Sequence, residues 1–160
     1  MARIADLPLK YRLFMRTYRL RVAPLAPAVA LPVPRPQARL AVITTAGLYS
    51  PHQPPFDEGM KGGDPGSRSI PSDADLGTLR IGHRSAAWDH RGVAQDPELV
   101  LPFGLLRQRV AGGSLGSLAS RHYSFQGSIT APGRLVNQTG PAVVRQLVAD
   151  GVHAALLTPV

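Results

Sequence analysis

Two short apolar runs set the tightest limits on how this chain folds. RLAVITT (residues 39–45) and VHAALLTP (residues 152–159) are strand-sized. Neither alternates cleanly between apolar and polar side chains, as a sheet with one wet face would require. Continuous runs of this kind fit strands covered on both faces, as in a parallel sheet. Two helical patterns lie between them. FGLLRQRVA (residues 103–111) closes on Gly112 and Gly113. Residues 140–150 follow Thr139 as cap, carry Pro141 near the first turn, and place Val143, Val144, Leu147 and Val148 on one buried face before Gly151. TLRIGH (residues 78–83) reads as a second strand with alternating exposure, and SLGSLA (residues 114–119) as a small-residue strand. Asp96 and Pro97 form a helix-start signal that Pro102 and Gly104 interrupt. The order strand, loop, strand, helix, strand, helix, strand predicts an α/β domain: a mostly parallel sheet with flanking helices, joined by right-handed crossovers.

Composition narrows the function classes. The chain has 160 residues, enough for about one domain. It contains no cysteine, which excludes disulfides, thiolate metal sites and a cysteine nucleophile within these residues. Its 16 glycines and 16 prolines signal many turns. Residues 50–78 hold much of that excess and are expected to form a long loop, a length usually kept for function or motion. No apolar run is long enough to predict a transmembrane helix.

The net charge of +8 first suggests nucleic acid, but its distribution argues otherwise. Residues 1–39 carry eight basic residues and one acid, whereas residues 40–160 are close to neutral. The basicity therefore belongs to an N-terminal arm, and no nucleic acid is expected. Residues 9–22 (LKYRLFMRTYRLRV) read as an amphipathic helix with Arg12, Arg16 and Arg19 on one face and Phe14, Met15 and Tyr18 on another. It fits a helix docked on the body or a partner, an interfacial or phosphate-binding arm, or a transit peptide. Five prolines in residues 23–36 make the following stretch an extended linker. The expected organisation is an arm and linker over residues 1–37 and an α/β domain over residues 38–160.

Ligands of open parallel sheets bind beyond the carboxyl ends of the strands. The residues expected at that rim are Thr44, Thr45 and Gly47, then His83, then Arg121, His122, Tyr123 and Ser124, and finally Thr158 and Pro159. Arg121 suits a carboxylate and His122 a proton transfer. The candidate substrate-binding set is Thr44, Thr45, His122, Tyr123, Ser124 and Thr158. His83, Asp89 and His90 are residue types that suit zinc or iron, but their spacing fits no metal pattern. An exposed turn with Trp88 packed inward is simpler, so no metal is expected. Ser114, Ser117 and Ser120 lack a nucleophile elbow. Gly112, Gly113 and Gly116 lack dinucleotide or P-loop spacing.

Read in order, ITTAGLY (43–49), QPPFD (53–57), GDPGSRSIPSD (63–73), LRIGH (79–83), WDHRGVAQD (88–96), GSLASRHYSFQG (116–127) and DGVHAALLTPV (150–160) resemble the selenoprotein B family of glycine/sarcosine/betaine reductase, with D-proline reductase as a relative. The resemblance runs from about residue 6 to the C-terminus. It implies an oxidoreductase subunit that cleaves an amino-acid C–N bond reductively, with a thiol/disulfide redox partner, other reductase-complex subunits and a small amino-acid-like substrate. It also implies a cytoplasmic location. In that family the last strand delivers a selenocysteine or cysteine, the position after Val160 here. The expectation is an in-frame selenocysteine codon read as a stop, leaving a chain inactive and poorly soluble by itself. The competing reading is a non-catalytic interaction module whose basic arm binds a partner protein or an anionic surface.

Overall fold

The computed structural model describes residues 8–17, 29–85 and 88–160. The chain divides into two units, residues 1–30 and 31–160. In the first, α1 spans Leu9–Thr17 and the Thr17 hydroxyl donates to the Leu13 carbonyl one turn back. Residues 18–22 of the expected helix, with Tyr18 and Arg19, lie outside the described residues.

The second unit is an α/β fold. Its strands are β1 (Arg39–Thr44), β2 (Leu48–Tyr49), β3 (Ser67–Pro71), β4 (Arg80–Ile81), β5 (Ser117–Leu118), β6 (Arg121–Phe125) and β7 (Ala154–Thr158). Its helices are α2 (Arg91–Gln95), α3 (Phe103–Ala111) and α4 (Gly140–Ala149). The main sheet is mostly parallel and built on β1. One flank of β1 pairs in parallel with β7, from Leu40↔Ala154 to Thr44↔Thr158. The other flank pairs first with β5 (Leu40↔Leu118) and then with β6 (Ile43↔Tyr123). Outside β6 lies β3, which is antiparallel to it.

β1 is central because both of its faces are covered. Ala41 points into a cluster with Ala119, Tyr123, Phe125, Val143 and Leu147, under α4. Val42, the next residue, points into the opposite cluster with Leu48, Ile70, Leu101, Phe103 and Leu106, under α3. Successive side chains of a strand face opposite ways, so one strand seeds both cores. Trp88 packs against the α3-side cluster, as expected of an inward turn residue.

Several expectations change in detail. The segment RHYSF is the strand β6, not a loop beyond one; residues 121–125 are buried or half-buried along its length. β5, by contrast, retains only Ser117 and Leu118 of the expected strand. TLRIGH contributes just β4, which pairs antiparallel with β2 in a separate two-stranded ribbon. Its first residue ends a 3₁₀ turn, Leu76–Thr78, whose backbone Asp75 caps. The long segment 50–78 contains β3, an edge strand whose Pro71 is tolerated beside Arg121. Thr139 is helical and caps nothing, because a π turn at Leu135–Thr139 runs directly into α4. β7 is a partly exposed edge strand with Leu157 at 66 % exposure, rather than one covered on both faces. Among the described residues no strand pairs with its outer side.

Candidate functional site

A cavity of about 370 Å³ opens at the carboxyl ends of β1, β6 and β7, lined by Thr45, Phe125, Gln126, Gly127, Ser128, Ile129, Leu135 and Val160. Three parallel strands end here, as the rim argument requires. The strand ends are tied together beneath it. The Thr44 hydroxyl donates to the Thr158 carbonyl (3.1 Å) and accepts from Ala46 N–H (3.2 Å). The Thr158 hydroxyl donates to the Val100 carbonyl at 2.7 Å. The Thr45 hydroxyl accepts from Val160 N–H at 3.0 Å. Thr45 therefore lines the cavity, while Thr44 and Thr158 do not and instead tie the strand ends together.

The other three candidate residues sit inside the fold. His122 is fully buried in β6, its Nδ1 accepting Val42 N–H at 2.9 Å and its ring 4.4 Å from that of Phe103. Burial pushes its pKa down to about 4, with Arg107 adding repulsion, so the ring is neutral. The Ser124 hydroxyl accepts Leu48 N–H at 2.7 Å. The Tyr123 hydroxyl donates to Gln146 Oε1 at 2.6 Å on α4. Arg121 makes a bidentate pair with Asp150, at 2.9 and 2.7 Å, near the opposite end of the sheet from the cavity. Apart from His122 Nε2, which is buried without a hydrogen-bond partner among the described residues, these side chains spend their polar atoms on the fold.

His83 packs behind the cavity wall, against Gly127. β4 lies outside the parallel sheet, but Gly47, at φ +68°, lets the chain approach Gly82: Gly82 N–H donates to the Gly47 carbonyl at 2.9 Å. A Cβ on Gly47 would stand 2.9 Å from Gly82 carbonyl carbon, which makes glycine necessary there. His83 then packs on Gly127 so closely that a Cβ at residue 127 would collide with its ring. Gln126 locks the same corner, its Oε1 accepting Asp64 N–H (2.7 Å) and its Nε2 donating to the Gly82 carbonyl (3.2 Å). The signal missed in the sequence was Gln126-Gly127-Ser128, the three residues that follow β6.

His83, Asp89 and His90 do not assemble as metal ligands. His83 and His90 flank the Trp88 ring at 4.3 and 6.1 Å, and Asp89 is engaged by Arg91. That hydrogen bond holds the Asp89 carboxyl below its usual range. Among the described residues no group of three or more potential ligands is placed to hold a metal ion. No described helix is long and apolar enough to cross a membrane.

Fold and cavity together define an open, mostly parallel α/β domain with a pocket at its strand ends. The family of glycine/sarcosine/betaine reductase selenoprotein B matches residues 2–160, and the chain belongs to it. It is 29% identical over 119 residues to the D-proline reductase subunit gamma of Acetoanaerobium sticklandii, covering 74% of this chain and 47% of that protein. It is 29% identical over 122 residues to the glycine reductase complex component B subunit gamma of Carboxydothermus hydrogenoformans (76% of this chain, 28% of that protein). Identity to the sarcosine reductase complex component B subunit beta of Peptoclostridium acidaminophilum is 25% over 122 residues, with the same coverage. The chain thus spans less than half the length of these curated relatives. No solved structure gives a significant match.

Proposed function

We propose that this chain supplies the substrate-side α/β domain of an amino-acid reductase that cleaves a C–N bond, working with other subunits of a reductase complex and a thiol/disulfide partner. The observation that carries this reading is the cavity where β1, β6 and β7 end, with Val160 on its wall, in a chain of the selenoprotein B family. A nucleophile placed just beyond β7 would meet a substrate bound there.

The 160 residues contain no cysteine, so the reducing atom comes from elsewhere in the intact protein or the complex. In this reading a selenocysteine or cysteine follows Val160. The anionic form is the reactive one. Its attack on the α-carbon forms a carbon–chalcogen bond as the C–N bond breaks, and the bonding pair leaves on nitrogen, which takes a proton. A dithiol then supplies two electrons and two protons: the carbon–chalcogen bond breaks, the carbon gains a C–H bond, the chalcogen is released in its reduced form, and the dithiol becomes a disulfide.

The test reads the codons beyond residue 160 and reconstitutes the intact protein with its partner subunits and a dithiol. Amine release from glycine, sarcosine or betaine, or ring opening of D-proline, is expected. Replacing the chalcogen residue by alanine should abolish it. A reading frame with neither selenocysteine nor cysteine there, or full turnover in the alanine variant, overturns the proposal.

A further inference from the structure

Gly127, Ser128 and Ile129 follow one another along the cavity wall. Among the described residues, none of their backbone N–H groups donates a hydrogen bond. Gly127 is nevertheless buried, and buried backbone donors are nearly always paired. Ser128 adopts φ +59° and is the one described non-glycine residue with a positive φ. Left-handed backbone costs a serine about 1 kcal/mol or more and is typical of sites where function over-determines the chain. Successive amides with such a left-handed turn form a concavity that suits an anion.

A fourth donor stands beside them. His83 Nδ1 accepts Ser85 N–H at 3.1 Å, so the neutral ring carries its proton on Nε2. Burial lowers the His83 pKa and favours that neutral form. Nε2 is itself buried and, among the described residues, without a hydrogen-bond partner. It presses on Gly127, within the space a side chain at 127 would need. Donors without a protein partner therefore gather at Gly127, three on the cavity wall and His83 Nε2 just behind it, with no cation among the residues that line the cavity.

We propose that the Gly127–Ser128–Ile129 amides, with His83 Nε2–H behind them, form the carboxylate-binding corner of the cavity. The ligand class is a small carboxylate, and the reductase reading makes it the carboxylate of the amino-acid substrate. Backbone donors and a neutral imidazole hold such a group by hydrogen bonds and leave the α-carbon facing the β7 end, where Val160 lies.

The test is an NMR titration of the full chain with acetate, glycine, glycinamide and inorganic phosphate, following the 127–129 amides and the His83 ring nitrogens. Saturable shifts at those atoms with acetate and glycine, and none with glycinamide, are expected. His83→Gln replaces the ring that fixes a donor against Gly127 by a flexible amide and should weaken acetate binding about tenfold, the effect of one misplaced hydrogen bond to a charged acceptor. The wild-type titration decides the matter should that variant fold poorly. Absence of saturable shifts at 127–129 overturns the proposal, and so does phosphate binding there in preference to acetate. The two proposals fail separately. Acetate binding without reductase turnover by the complex refutes the reductase reading alone. Turnover with an unchanged KM in His83→Gln refutes this one alone.

Discussion

His122 Nδ1 accepts the backbone N–H of Val42 at 2.9 Å, across a break in the sheet's register. Leu40 faces Leu118 and Ile43 faces Tyr123, so the outer strand carries two more residues than β1 over that interval. The surplus bulges out around Ala119 and Ser120, and the imidazole supplies an acceptor to the amide of β1. The bond has a measurable weight. His122→Ala removes an acceptor and leaves a cavity beside Phe103, at a cost of about 3 kcal/mol or more. His122→Asn keeps an acceptor oxygen near the position of Nδ1 and should lose distinctly less. Chemical denaturation of the three proteins checks the order; equal losses for both variants would show that packing alone matters.

The same residue makes stability depend on pH. His122 has its pKa lowered from 6.5 to about 4 in the folded protein by burial, with Arg107 adding repulsion. Between those values the unfolded chain binds the proton and the folded one does not, so stability rises with pH. The contribution is complete above about pH 6.5 and is lost as pH falls towards 4, a change of about 3 kcal/mol at most. The His122→Asn variant should lack this slope. Denaturation midpoints at pH 7, 5.5 and 4 test it, and parallel curves for the two proteins would remove His122 as the cause.

How much of this was legible in the sequence depended on how each residue is buried. α3 was readable to the residue because Pro102 and the Gly112-Gly113 pair bracket it, and β1 because its apolar run is continuous. β6 was not, since Arg121, His122 and Ser124 look like loop residues until their partners are known: Asp150, Val42 and Leu48 satisfy them. Polar side chains that bond to a neighbouring strand's backbone break the apolar pattern without breaking the strand. The rim itself was foreseeable from strand order, and Thr45 stands on it. Gln126, Gly127 and Ser128 were hidden because their significance comes from contacts with His83 and Asp64, far away in sequence.

Leu157 is 66 % exposed on β7, beside Leu156, and Val144 and Val148 of α4 are also exposed. An apolar strand with an open side invites pairing with other chains. Leu157→Lys should therefore reduce concentration-dependent association, with a change in stability of about 0.5 kcal/mol or less, as expected for a surface position. Sedimentation over a range of concentrations measures it. Unchanged association would place the self-contact elsewhere.

The close approach of His83 to Gly127 predicts a coupling between the two. A methyl group at residue 127 would collide with His83 Nε2 and Cδ2 and stand 2.9 Å from the Thr45 carbonyl oxygen. Gly127→Ala should thus cost about 1–3 kcal/mol, the range for overpacking a filled site. His83→Ala removes the ring and its tilted contact with Trp88, centroids 4.3 Å apart, and should also destabilise. Together the two changes should cost less than their sum, because the second makes room for the first; the expected coupling is about 1 kcal/mol, within the range for residues in contact. The Thr45 oxygen remains in place, so the relief is partial. Denaturation of the four proteins in the cycle measures the coupling directly. Strict additivity would mean that the ring of His83 and the backbone at Gly127 do not share this corner in solution, and the donor cluster at the end of β6 would lose its fourth member.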